Sequence, residues 1–91
     1  MGTAKRWTVE IYIDEHEDQR LTRAEARLRT GEHTDLRGVG TAHRNPHDRE
    51  VPEIGDELAA ARALGELARE LREAAAADIE NITHEPARLS R

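Results

Sequence analysis

The sequence predicts an α+β domain, a three-stranded antiparallel meander followed by one long C-terminal amphipathic helix. Two observations carry that expectation. Three segments before residue 45 alternate with a period of two, and from residue 53 apolar residues recur every three or four positions. The strands are expected over about 5–14, 21–30 and 36–43, the helix over about 53–81, and a tail over 82–91, all in a single domain.

The first segment is the cleanest strand. Trp7, Val9, Ile11 and Ile13 share one face, and Thr8, Glu10 and Tyr12 share the other. Its β-branched and aromatic residues suit a half-buried strand, and Trp7 is expected in the core. The polar run Glu15-His16-Glu17-Asp18-Gln19 reads as a connecting loop.

Leu21 to Thr30 is ambiguous, because Ala24, Glu25, Ala26, Arg27 and Leu28 are mostly good helix formers. A helix would carry only Leu21, Ala24 and Leu28 as its apolar stripe. A strand instead aligns Thr22, Ala24, Ala26, Leu28 and Thr30 on one side and Arg23, Glu25, Arg27 and Arg29 on the other. The strand reading is preferred. After the turn-like Gly31–Asp35, a third strand places Gly38, Gly40 and Ala42 on the face of Leu36, with Arg37, Val39, Thr41 and His43 opposite. Two strand glycines beside two alanines form a floor of small residues on which a helix can lie closely.

Asn45-Pro46 opens an irregular stretch, and Pro52 stands at the helix start, with Glu53, Asp56 and Glu57 suited to the positive end of the helix dipole. The predicted buried stripe is Ile54, Leu58, Ala61, Leu64 or Gly65, Ala68, Leu71, Ala75, Ile79 and Ile82. Arg62, Glu66, Arg69, Glu70 and Glu73 form the opposite face. Gly65 inside the helix points to close packing there, or to a break.

Composition narrows the function. Leu, Ile and Val number 16 of 91 residues, Phe is absent, and 14 residues are Ala. The core is therefore thin for this length. The net charge of −5 is too modest for a disordered chain. Thin cores of this size are commonly completed by a second subunit, so a homodimer is expected, its contact on whichever sheet face or edge the helix leaves uncovered. Lys and Arg balance Asp and Glu over residues 1–49, and the whole negative excess lies in residues 50–91. A basic surface, if present, belongs to the first half.

There is no cysteine and one serine, Ser90, so thiolate chemistry, Cys-based zinc sites and serine triads are excluded. His43 and His47 are four apart, but Pro46 between them disfavours the helix that would align them. No metal site, cofactor, small-molecule substrate or catalytic residue is expected. Gly38-Val39-Gly40 lacks the spacing of a phosphate-binding loop. No run is long and apolar enough to span a membrane, and residues 1–6 lead into the first strand without an apolar leader, so a cytoplasmic protein is expected. The candidate contact surface is the polar sheet face. Arg23, Arg27, Arg29 and Arg37 line it, with Tyr12 as a stacking ring, an arrangement suited to RNA phosphates. The same arginines can equally pair with Glu10 and Glu25 across the strands.

Several stretches are specific enough to carry a resemblance. They are Trp7-Thr8-Val9-Glu10-Ile11, Thr22–Leu28, Gly38–Ala42 and Asn45-Pro46-His47-Asp48-Arg49-Glu50-Val51-Pro52-Glu53-Ile54-Gly55-Asp56-Glu57-Leu58. With Thr83–Leu89 included, nearly the whole chain resembles a family of short actinobacterial proteins of unassigned function. Trp7, Asn45, Pro46, Asp48, Pro52, Ile54, Gly55 and Glu57 are its signature here. The resemblance implies a fold similar to double-stranded-RNA-binding domains (dsRBD-like). It also implies kinship with a dormancy-associated branch whose dimers resemble ribosome hibernation factors. A non-catalytic stress or dormancy role follows, as a homodimer on the ribosome or RNA, with a protein–protein interaction module as the alternative. The start of the last helix departs from RNA-binding domains of that fold, which present lysines there. Glu53, Asp56 and Glu57 would repel phosphate, leaving RNA contact to the arginine face.

Overall fold

The computed structural model describes residues 2–31, 36–44, 51–87 and 89. Strand β1 spans Thr8–His16, β2 Leu21–Arg29 and β3 Arg37–His43; helix α1 spans Pro52–Thr83. The strands form one antiparallel sheet in the order β1-β2-β3. The predicted fold class is the observed one. Leu21–Arg29 is extended because its alternation satisfies two faces at once, and that outweighs the helical leaning of its alanines and glutamate.

A single 3-10 turn, Glu17–Gln19, joins β1 to β2, and Arg20 closes it in the left-handed region at φ 50°. Beyond the last ladder pair, the Arg44 amide donates to the Arg20 carbonyl at 2.9 Å. Helix α1 begins with Pro52 after an extended Val51, and the Ile54 amide donates to the Val51 carbonyl. His84 ends it in the left-handed region, its amide donating to the Glu80 carbonyl at 2.7 Å.

Register explains how the helix sits. On the covered face, Ile13, Ala24 and Gly40 form one cross-strand row, and Ile11, Ala26 and Gly38 the next. Side chains thus shrink from isoleucine to alanine to nothing between β1 and β3. The helix backbone descends onto the low side. A Cβ on Gly38 would come closer than 3.0 Å to the Ala63 carbonyl and the Leu67 amide, and one on Gly40 would meet Ala59 and Ala63 equally closely. The core is correspondingly small: Ala24, Ala26, Leu28, Ala42, Ala59, Ala63 and Leu67, with Leu36 and Leu71 packed against it.

Three expectations are corrected. Trp7 is not in the core; it is 56% exposed, and Val9, Ile11 and Ile13 are also exposed. A helix about 10 Å across spans two strands set about 4.8 Å apart, and α1 takes β2 and β3. The buried face of α1 is Ala59, Ala63 and Leu67, not the predicted stripe. Of that stripe Ile54, Leu58, Ala61, Leu64, Gly65, Ala68, Ala75, Ile79 and Ile82 are exposed, and only Leu71 reaches the core margin. Gly65 marks neither close packing nor a break: nothing lies within 4 Å of where its Cβ would be, and the helix runs on to Thr83.

At about 1.5 Å per residue α1 is roughly 48 Å long, close to the 53 Å long axis of the molecule. It outruns the sheet, and every residue from Ala77 to Thr83 is exposed. On the β3 side, Arg62 Nη1 donates to the Thr41 carbonyl at 2.7 Å, laying a guanidinium across that edge.

Candidate functional site: the open sheet face

The face away from α1 is open, and strand register places its side chains in rows. Glu10, Arg27 and Arg37 form one row, Tyr12, Glu25 and Val39 the next, then Asp14, Arg23 and Thr41. Arg29 sits opposite Thr8. All four candidate arginines therefore share this face.

Glu25 is at its centre and is buried, only 8% exposed, although no helix covers it. The arginines do the covering. Arg27 Nε donates to Glu25 Oε2 at 2.6 Å, and Arg23 and Arg37 each stand 3.8 Å from Oε1. The Arg27 hydrogen bond holds the Glu25 carboxyl below its ordinary value. Burial opposes that shift, and the charges of Arg27, Arg37 and Arg23 add to it. The Arg27 guanidinium also lies 4.8 Å from the Tyr12 ring centre, a cation–π distance. Tyr12 in turn donates to Glu10 Oε2 at 3.1 Å, and Glu10 pairs with Arg29 through its other oxygen.

This arrangement has one chemical property. Four arginines are gathered around two carboxylates, Arg23, Arg27 and Arg37 around Glu25 and Arg29 on Glu10, with Asp14 on the same face, in a chain whose total charge is −5. The face sets four arginines against three carboxylates and is largely self-neutralised.

Other candidates fall elsewhere. His16 and His43 flank Leu21 at one end of the sheet. They border a cavity of about 270 Å³ that Arg20, Arg44, Ile54 and Leu58 also line. Among the described residues no group of three or more His, Cys, Asp or Glu could hold a metal ion. His33, His47, Asn45, Pro46 and Asp48 lie outside the described residues. Of the remaining signature residues, Trp7 precedes β1, Pro52 opens α1, and Ile54 and Glu57 are exposed. A Cβ on Gly55 would stand 2.9 Å from Thr22 Oγ1, so this glycine seats the first helical turn on β2. On the helix, Arg69 gathers Glu66, Glu70 and Glu73, and its hydrogen bond holds the Glu66 carboxyl below its usual range.

The central role of Glu25 was missed in the sequence, where it read as one of several possible partners. The signal was its position, flanked on its own strand face by arginines two residues away on either side.

Residues 5–88 match the model of the Rv2632c-like family. The chain belongs to that family. Rv2632c-like relatives include the uncharacterized protein MT1780 of Mycobacterium tuberculosis (strain CDC 1551 / Oshkosh). It is 58% identical over 85 residues, covering 93% of this chain and 87% of the relative. The uncharacterized protein Rv2632c of Mycobacterium tuberculosis (strain ATCC 25618 / H37Rv) is 44% identical over 82 residues, 90% of this chain and 85% of its own length. The crystal structure of Rv2632c superposes with a TM-score of 0.81 at 42% identity, covering 93% of this chain and 98% of that one. The names of these Rv2632c-like proteins indicate no enzymatic family. No described helix is long and apolar enough to cross a membrane.

Proposed function

We propose that this Rv2632c-like protein is a non-catalytic interaction module that works as a homodimer. The observation that carries the reading is the amount of large apolar surface the fold leaves uncovered. Trp7, Val9, Ile11 and Ile13 on β1 and Ile54, Leu58, Leu64, Ile79 and Ile82 on α1 are all exposed, around a core of five alanines and two leucines. So many exposed large apolar side chains on a small chain with so small a core support an association surface. Light scattering tests it: a mass about twice the 10.3 kDa of one chain is expected, and 10.3 kDa at all concentrations overturns it.

A second reading, contact with RNA on the ribosome during stress or dormancy, is favoured by the four arginines fixed on one open face and by Arg27 stacked over Tyr12. The stress or dormancy setting rests on the sequence resemblance alone. Cosedimentation with ribosomes at moderate salt is the test, comparing the native chain with a Arg23→Glu, Arg27→Glu, Arg29→Glu variant whose fold is checked by circular dichroism. Loss of cosedimentation in the variant supports RNA contact. Absence of cosedimentation in the native chain, or binding that survives the reversals, leaves a protein–protein module without a nucleic-acid role.

A further inference from the structure

The cavity of about 270 Å³ at the sheet end lies where every element of the fold meets. Its walls come from the end of β1, the Glu17–Gln19 turn, the start of β2, the end of β3 and the first two turns of α1. Glu15, Thr22 and Ala42 form the last row of the covered sheet face, and Gly55 seats the helix over Thr22. Leu21, Ala42, Val51, Ile54 and Leu58 supply an aliphatic lining. Ile54 and Leu58 stand outside the core cluster and are about half exposed, so they border this space rather than fill it.

The charged part of the lining has both signs. Arg20 and Arg44 are held as neighbours, because the Arg44 amide donates to the Arg20 carbonyl at 2.9 Å. Glu15 and Glu17 line the same space from β1 and the turn, and His16 and His43 flank Leu21 in the strand register. A guanidinium has five donors, so an arginine that is already paired still has donors for a further acceptor. A simple anion here would meet the two glutamates, and a simple cation the two arginines. A molecule with a carboxylate, an ammonium group and an apolar body answers all three parts of the lining. Size agrees. The cavity has the volume of about nine waters at ~30 Å³ each, short of the ~300 Å³ at which pockets for drug-sized ligands begin. Among the described residues no aromatic ring lines it, so the matching body is aliphatic.

We propose that this cavity binds a free α-amino acid with a branched aliphatic side chain. Its carboxylate lies on Arg20 and Arg44, its ammonium group on Glu15 and Glu17, and its side chain against Leu21, Ile54 and Leu58. Bound there, it ties the first turns of α1 to the ends of all three strands. It stabilises a fold whose own core is small, by mass action on the folded state.

Thermal unfolding of the full chain, followed by circular dichroism, is measured with leucine, isocaproate (leucine without its ammonium group), isoamylamine (leucine without its carboxylate) and glycine. Leucine is expected to raise the midpoint saturably by several degrees. The other three should need concentrations about tenfold higher or more for the same rise. Amide NMR shifts on titration with leucine should map to Arg20, Thr22, Arg44, Ile54 and Gly55 and spare Arg23 and Arg27 on the open face. Arg20→Gln and Glu17→Gln, both at exposed positions, should each weaken leucine binding roughly threefold to tenfold, and Arg29→Gln should leave it unchanged. An equal rise with isocaproate or isoamylamine, or leucine binding untouched in both cavity variants, overturns the assignment. So does the absence of any saturable rise with leucine near its solubility limit.

Discussion

Gly40 and Ala63 meet backbone to backbone, with no side chain between strand and helix. Gly40→Ala would drive a methyl group into the helix backbone and force α1 off the sheet. A loss of about 1–3 kcal/mol or more is expected from overpacking of this kind. Gly65→Ala, in open space, should instead stabilise by up to ~1 kcal/mol. Urea midpoints of the two variants moving in opposite directions would verify the floor; a neutral Gly40→Ala would contradict it.

Leu67 is the larger of the commitments α1 makes to the core, at 3% exposure. Leu67→Ala should cost about 2–5 kcal/mol, measured by urea unfolding. In a core this small that is a large share of the total stability, and partial unfolding at room temperature is the expected phenotype.

Trp7 behaves in the opposite way. Its exposure predicts that Trp7→Ala changes monomer stability by under about 1 kcal/mol, against about 3–5 for a buried tryptophan. Its fluorescence should be quenched freely by acrylamide. Strong protection of the indole in a confirmed monomer would contradict the placement of β1.

Glu25 predicts a pH dependence. Its carboxyl is held below the ordinary 4.5 in the folded chain, so the unfolded chain binds the proton more readily. The stability it supplies is complete above 4.5 and is lost as pH falls through the lower folded value. Glu66 adds the same sign. Urea midpoints should therefore drop on acidification below 4.5, and Glu25→Gln should flatten the slope. An unchanged slope in that variant would show that the arginine cluster does not hold Glu25.

The strands were legible because alternation is a strong signal even where composition leans to helix, as in Leu21–Arg29. The four arginines of the open face followed from the same parity. The helix was legible as an element and misread as a surface. Two apolar faces run along α1, and hydrophobicity ranks Ile54, Leu58, Ile79 and Ile82 above Ala59 and Ala63. Packing follows fit rather than bulk: a floor of Gly38 and Gly40 beside Ala24 and Ala26 admits only small residues from above. That constraint was present in the sequence, since glycines on alternate strand positions call for alanines four apart on whatever covers them. The exposure of β1 was likewise implied by one helix having to cover three strands.

Arg62, reaching over the Thr41 carbonyl, gives the sheet two unequal borders. A strand arriving beside β3 must first displace a charged hydrogen bond, of the order of 1.5–3 kcal/mol. Fibre growth by strand addition needs two receptive borders. By lying across the β3 border, Arg62 restricts strand addition on that side of the sheet.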